Sequence, residues 1–142
     1  MSDLNITPQF LIAGDAVFTV SNPSGEHYTY QIQDSDLKDD RTGEILYFVR
    51  TLTGPNNYSD FTYLGMYDTW GFVTITKKSR YTKESKIVKV LEWAIDVIHG
   101  RKKLPDGYSI AHNGRCGKCG RRLTTPESIE IGIGPVCMEM LV

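Results

Sequence analysis

All three cysteines of the chain, Cys116, Cys119 and Cys137, fall within the last 27 of its 142 residues. Cys116 and Cys119 are separated by two residues, a gap that lets both sulfurs reach one ion, and Gly117 and Gly120 permit the tight turn this requires. Cys137 follows after seventeen intervening residues, and His112 lies four positions before Cys116. His112, Cys116, Cys119 and Cys137 together would supply the nitrogen and sulfur donors expected of a closed tetrahedral site for one structural Zn2+. A catalytic zinc keeps a position open for water, and four protein ligands leave none. Coordination number demands the fourth ligand without naming it, so His99, Asp106 or a water could stand in for His112. An odd number of thiols in a chain without an export signal argues against a disulfide framework. A redox CxxC belongs between a strand and a helix in a βαβ unit, a context missing here.

The second chemistry is electrostatic. Residues 1–76 carry three basic side chains against ten acidic ones, whereas residues 77–122 carry thirteen against four. The whole chain has a formal charge of −1, so the asymmetry vanishes in the total. Such a split points to a polyanionic partner. Lys77, Lys78, Arg80 and Lys83 precede one predicted helix, and Arg101, Lys102 and Lys103 follow it. Arg115, Lys118, Arg121 and Arg122 surround the cysteine pair. Brought together, these eleven residues would form a phosphate-tracking surface, with Tyr81 and Tyr108 near it for stacking. The plainer alternative is a solvated helix face that offsets the acidic N-terminal part. No helix carries a readable set of base-contacting residues, so binding would follow shape or single strands rather than sequence.

Elements that position these groups follow from residue periodicity. Residues 16–21 (AVFTVS) and 27–33 (HYTYQIQ) are rich in β-branched and aromatic residues, and the intervening NPSG is turn chemistry, so a hairpin is expected. Residues 45–52 (ILYFVRTL), apolar at nearly every position, predict a central strand buried on both faces. Residues 61–66 and 72–76 complete an antiparallel meander, joined by the turn DTWG. The acidic stretch 35–43 reads as a surface loop, with Asp34, Asp36, Asp39 and Asp40 lacking the calcium-loop pattern. Between residues 83 and 99, apolar side chains at 87, 88, 91, 94, 95 and 98 form a helical stripe. Thr82 is the expected N-cap and Gly100 the terminating glycine, with Lys83, Lys86 and Lys89 on the polar face. His99, at the helix end, reads as a cation favoured by the helix dipole, and His27 as a surface residue. Tyr47, Phe48, Phe61, Tyr63, Trp70 and Phe72 are dense enough to line a pocket, although aromatic residues on strands more commonly form core.

The stretch from Cys116 to Cys137, CGKCGRRLTTPESIEIGIGPVC, resembles a motif of small uncharacterised zinc-binding proteins of bacteriophages and actinobacteria. That motif runs Cys-x-x-Cys-Gly-Arg, then Leu-Thr-x-Pro-x-Ser-Ile, then Gly-x-Gly-Pro-x-Cys. Its members often carry a histidine just upstream, which supports His112 as a ligand. FVRTLTGPNNYSDFTYLGMY and FVTITKKSRY are similar to the β-rich part found beside the motif in some phage proteins. The resemblance implies zinc and a mobile-element origin, and it implies no reaction.

The fold class expected from these readings is α+β. An antiparallel sheet closed by one amphipathic helix would occupy residues 1–100, and a zinc-ribbon or treble-clef-like module residues 101–142. The function expected is a non-enzymatic, zinc-stabilised protein of phage type that binds nucleic acid through residues 77–122. An alternative is a host-modulating or anti-defence protein that binds a host or phage protein through its aromatic, acidic N-terminal sheet. A nucleotide-acting enzyme is a third possibility, but no Ser/His/Asp or Cys/His set, phosphate-binding glycine loop or Rossmann pattern is present to carry a reaction. The longest mostly apolar stretch, residues 87–98, is broken by Lys89, Glu92 and Asp96, and a membrane span needs ~20 apolar residues. With no basic n-region followed by an apolar run at the N-terminus, a cytoplasmic protein is expected.

Overall fold

The computed structural model of the chain describes residues 6–12, 15–38, 40–41, 43–53, 61–68 and 71–112. In chain order these form a short helix α1 (Pro8–Leu11) and five strands, β1 (Asp15–Ser21), β2 (His27–Lys38), β3 (Ile45–Leu52), β4 (Phe61–Tyr67) and β5 (Val73–Ile75). Helix α2 (Lys86–Ile98) and strand β6 (Ser109–His112) follow. The six strands make one antiparallel sheet in the order β5-β4-β3-β2-β1-β6. The meander is therefore as the sequence predicts, and β6 adds a strand that it does not. Residues 109–112 pair with β1 (Phe18 opposite His112, Ser21 opposite Ser109), so the sheet extends beyond the boundary expected at residue 100.

The β1–β2 hairpin owes its sharp reversal to two residues. Asn22 Oδ1 accepts from the backbone N–H groups of Ser24 and Glu26 and from the Ser24 hydroxyl, which replaces ladder bonds at the tip. Gly25 takes a φ of +91°, a region costly for other residues. Strand β2 runs to Lys38, through residues expected as loop. It keeps pairing with β3 across a register irregularity between Asp34 and Leu37, where the Ser35 hydroxyl donates to the Leu46 carbonyl at 2.6 Å.

Alternate residues of the strands face the helices. Ala16, Phe18 and Val20 of β1, Tyr30 and Ile32 of β2, Tyr47 and Val49 of β3, and Ile110 of β6 form one buried cluster with Val88, Leu91, Ala94, Ile95 and Ile98 of α2. Phe10 and Leu11 of α1 close the same cluster. Two buried tyrosines keep their hydroxyls satisfied: Tyr30 donates to the Ile87 carbonyl at 2.7 Å and Tyr47 to the Ile12 carbonyl at 3.2 Å. Desolvation pushes both phenols above their ordinary range, so they stay neutral donors.

Strand β3 is buried on one face only, which corrects the expectation of two. Its other face is covered by its own side chains. Phe48 meets Tyr63 edge-on at 6.0 Å between ring centroids, and the Arg50 guanidinium lies 5.3 Å from the centre of the Phe48 ring. Arg50 Nη1 also donates to Gln33 Oε1 at 2.6 Å. A continuously apolar strand thus lies in a sheet with one helix-covered face, because aromatic rings and an arginine stem shield each other on the second.

Helix α2 starts at Lys86 with Ser85, not Thr82, as its N-cap. Residues 82–85 instead form a turn, closed by Ser85 N–H to the Thr82 carbonyl (3.0 Å), with the Ser85 hydroxyl oxygen accepting from Thr82 N–H (3.2 Å). The expected terminator is in place: Gly100 has a φ of +80° and its N–H donates to the Val97 carbonyl. No helix among the described residues is long and apolar enough to cross a membrane.

Candidate nucleic-acid interface and metal site

The basic residues separate into two groups at opposite ends of α2, about 20 Å apart for thirteen residues at the helical rise. Lys77, Lys78, Arg80 and Lys83 lie on the segment that connects β5 to α2, all four exposed. None of them makes an ion pair among the described residues. Lys86 and Lys89 continue this group along the first turn of the helix, three residues apart and so on one face. Lys86 is held by Glu26 of the hairpin at 3.3 Å, which raises its pKa. The helix has no acidic residue in its first turn. Cations there face the positive end of the macrodipole, an arrangement that costs the folded chain and that an anion would offset.

The group after the helix is differently engaged. Arg101 Nε donates to Asp96 at 2.8 Å, one of its Nη atoms donates to the Gly71 carbonyl at 2.6 Å, and its guanidinium lies 4.8 Å from the centre of the Phe72 ring. Lys102 pairs with the other Asp96 oxygen at 3.6 Å. Arg101 is thus a clasp between the helix end and the β4–β5 turn, and Lys103 beside it makes no ion pair among the described residues. Arg115, Lys118, Arg121 and Arg122 lie outside the described residues. Of the eleven basic residues expected at the surface, Lys77, Lys78, Arg80 and Lys83 are exposed on the one segment that joins β5 to α2, and Arg101 is engaged beyond the other end of the helix.

His99 is not the cation expected at a helix end. Its Nε2 shares a hydrogen bond of 2.7 Å with the Tyr67 hydroxyl, and burial, followed by the neighbouring Arg101, lowers its pKa. His27 is exposed at the hairpin, as expected.

Between α2, the hairpin and the segment leading to β6 lies a groove of about 440 Å³. Its walls are Tyr28, Trp93, Tyr108 and Pro105, with Lys86 and Lys89 at the rim. Trp93 and Tyr108 pack with ring centroids 5.6 Å apart. The Trp93 indole N–H and the Tyr108 hydroxyl make no hydrogen bond among the described residues. Gly107, next to Tyr108 in the chain, takes a φ of +86° and sits against Pro23 of the hairpin, where a Cβ would fall 2.8 Å from the proline ring. Of these residues the sequence pointed to Tyr108 as a stacking group and to Lys86 and Lys89 only as a polar face. Trp93 lies outside the helical stripe at 87, 88, 91, 94, 95 and 98, and the sequence reading assigned it no role. Tyr81, the other expected stacking residue, is partly buried against the core.

Of the four expected zinc ligands, His112 alone lies among the described residues. It ends β6, is 9% exposed, and its ring lies 5.7 Å from that of Phe10. Cys116, Cys119 and Cys137 lie outside the described residues, and no cluster of three or more candidate ligands occurs within them. The donor chemistry fits zinc: three thiols and an imidazole are the soft and borderline ligands that it takes in tetrahedral sites. The strand end delivers His112 to the start of the cysteine-bearing segment.

Residues 109–141 match a family of unknown function, DUF6011. This similarity begins at β6 and spans the cysteine segment, and it carries no activity with it. No curated protein matches the chain. No solved structure matches it.

Proposed function

We propose that this chain is a non-enzymatic, zinc-stabilised protein that binds nucleic acid through the basic surface at the start of α2. The observation that carries the reading is the group Lys77, Lys78, Arg80 and Lys83, exposed and without ion pairs among the described residues, running into Lys86 and Lys89 at the positive end of a helix. Like charges accumulated there lower stability unless a polyanion offsets them. Phosphates neutralise such a surface at the gain of released counterions. The His112, Cys116, Cys119, Cys137 set would hold one structural Zn2+, and the resemblance of its motif to phage and actinobacterial proteins supports that role.

The test is a triple charge reversal, Lys77→Glu, Lys78→Glu and Arg80→Glu, assayed with labelled single- and double-stranded DNA and RNA across a salt series. Wild-type protein should bind with log K falling linearly in log salt, and the variant should lose binding while keeping its thermal midpoint. Unchanged affinity in the variant would refute the proposal. A protein-binding role is the second reading, favoured by the half-buried Phe48 and Tyr63 on the helix-free face of the sheet. It predicts that the triple reversal is harmless and that Tyr63→Glu abolishes capture of a protein partner.

A further inference from the structure

We infer that the groove beside α2 receives one unstacked base of a single-stranded nucleic acid, with the adjoining phosphate on Lys89; this rests on the nucleic-acid reading above. Three aromatic side chains from three different elements converge on the groove: Tyr28 from β2, Trp93 from α2 and Tyr108 from the segment before β6. Aromatic rings brought together from the hairpin, the helix and a loop offer flat, sequence-tolerant faces of the kind on which bases stack. Its volume of about 440 Å³ lies within the span of ligand sites, roughly 300–1,000 Å³.

Polar groups at the groove complement a nucleotide rather than an apolar ligand. The Trp93 indole N–H and the Tyr108 hydroxyl have no partner among the described residues, and a base edge offers acceptors to both. Glu26 is the one acidic residue lining the groove, and its carboxylate is paired with Lys86. Lys89 is exposed and makes no ion pair among the described residues, which leaves a net positive rim. In the chain, the exposed cations of the β5–α2 segment end at Lys83, three residues before Lys86 of the rim, with Glu84 between them and close enough to Lys83 and Lys89 for both to lower its pKa. A strand tracking those cations arrives at the groove with a base free to turn in. A duplex, whose bases are stacked and paired, does not.

The experiment compares wild type with Tyr108→Leu, Lys89→Glu and the triple reversal at 77, 78 and 80. Anisotropy is read with an oligothymidylate of about twelve nucleotides, within the usual reach of single-strand sites, with a duplex of the same length and with dTMP. Tyr108→Leu keeps apolar bulk while removing the ring, and Lys89→Glu places an acid at a helix N-terminus, so both should fold with undiminished thermal midpoints. The expected result is about tenfold or greater loss of oligothymidylate affinity in each, with duplex affinity unchanged in Tyr108→Leu. Wild-type oligothymidylate affinity in Tyr108→Leu, alongside lost binding in the triple reversal, would overturn the groove while sparing the nucleic-acid reading. Binding of dTMP as tight as that of the oligomer would overturn the strand as occupant. Absence of binding to any of the probes by wild type would overturn both.

Discussion

The imidazole of His99 sits where the helix end, the β4–β5 turn and the sheet meet. A Cβ added to Gly71 would fall 2.7 Å from its ring, and the Tyr67 hydroxyl is hydrogen-bonded to it. With its folded pKa lowered, the neutral ring stabilises the fold at pH values above its unfolded value of about 6.5, and that contribution is lost as pH falls through the folded value. Denaturant midpoints measured at about pH 8 and about pH 5 should therefore drop for wild type, and His99→Gln should flatten the difference. An equal drop in both proteins would assign the acid sensitivity elsewhere. The sequence places His99 correctly at the end of a helix but gives no sign of Tyr67. That partner lies thirty-two positions upstream, on a strand. Contacts of this kind are invisible to periodicity, which reports only what lies within a turn or a pleat.

Elements were more legible than contacts. The helix stripe at 87, 88, 91, 94, 95 and 98 becomes the buried edge of α2, with Ile87 partly buried and the other five fully so. Leu91, fully buried, has no room to be replaced cheaply: Leu91→Ala should cost about 2–5 kcal/mol in urea unfolding, whereas Lys83→Ala should fall within about 0.5 kcal/mol. Gly65 in β4 is required by close approach, since a Cβ there would run into the Thr74 carbonyl of β5. Gly65→Ala should loosen β5 from the sheet, and amide exchange in residues 73–75 should quicken more than in β2. The short helix α1, the end of β2 and the whole of β6 escaped the sequence. The extension of β2 through Ser35 to Lys38 is polar and reads as loop, yet its backbone pairs with β3 regardless. Strand β6 is four residues long, too short for an alternation to register, and it lies against a ligand-rich stretch whose composition dominates any reading. Ser85 displaced Thr82 as N-cap because residues 82–85 close a turn of their own.

At the scale of the whole molecule, a strongly basic stretch and an acidic one cancel almost completely in the net charge of −1. The structure keeps part of that polarity, with exposed lysines at the start of α2 and the Asp96 clasp drawing Arg101 and Lys102 away from it. Metal is the other whole-molecule variable. Purified protein should carry one equivalent of zinc, Cys116→Ser should abolish it, and a chelator should lower the thermal midpoint, because binding free energy at such sites adds to folding free energy. Protein prepared without chelators and found free of zinc would refute the site. The proposed donor set is read from residue type and spacing alone, and of its four members only His112 lies among the described residues.

The pairing of β6 with β1 sets a further condition on how the chain reaches its native state. Phe18 lies opposite His112, so the outermost strand can dock only after nearly the whole intervening chain has been gathered. Contacts that close so large a loop are entropically late and slow the search. Until they form, β1 is an open sheet edge next to the hairpin, a template for pairing with another molecule. Refolding should thus show yields that fall with protein concentration, and the early β1–β5 meander should gain protection from exchange before residues 109–112 do.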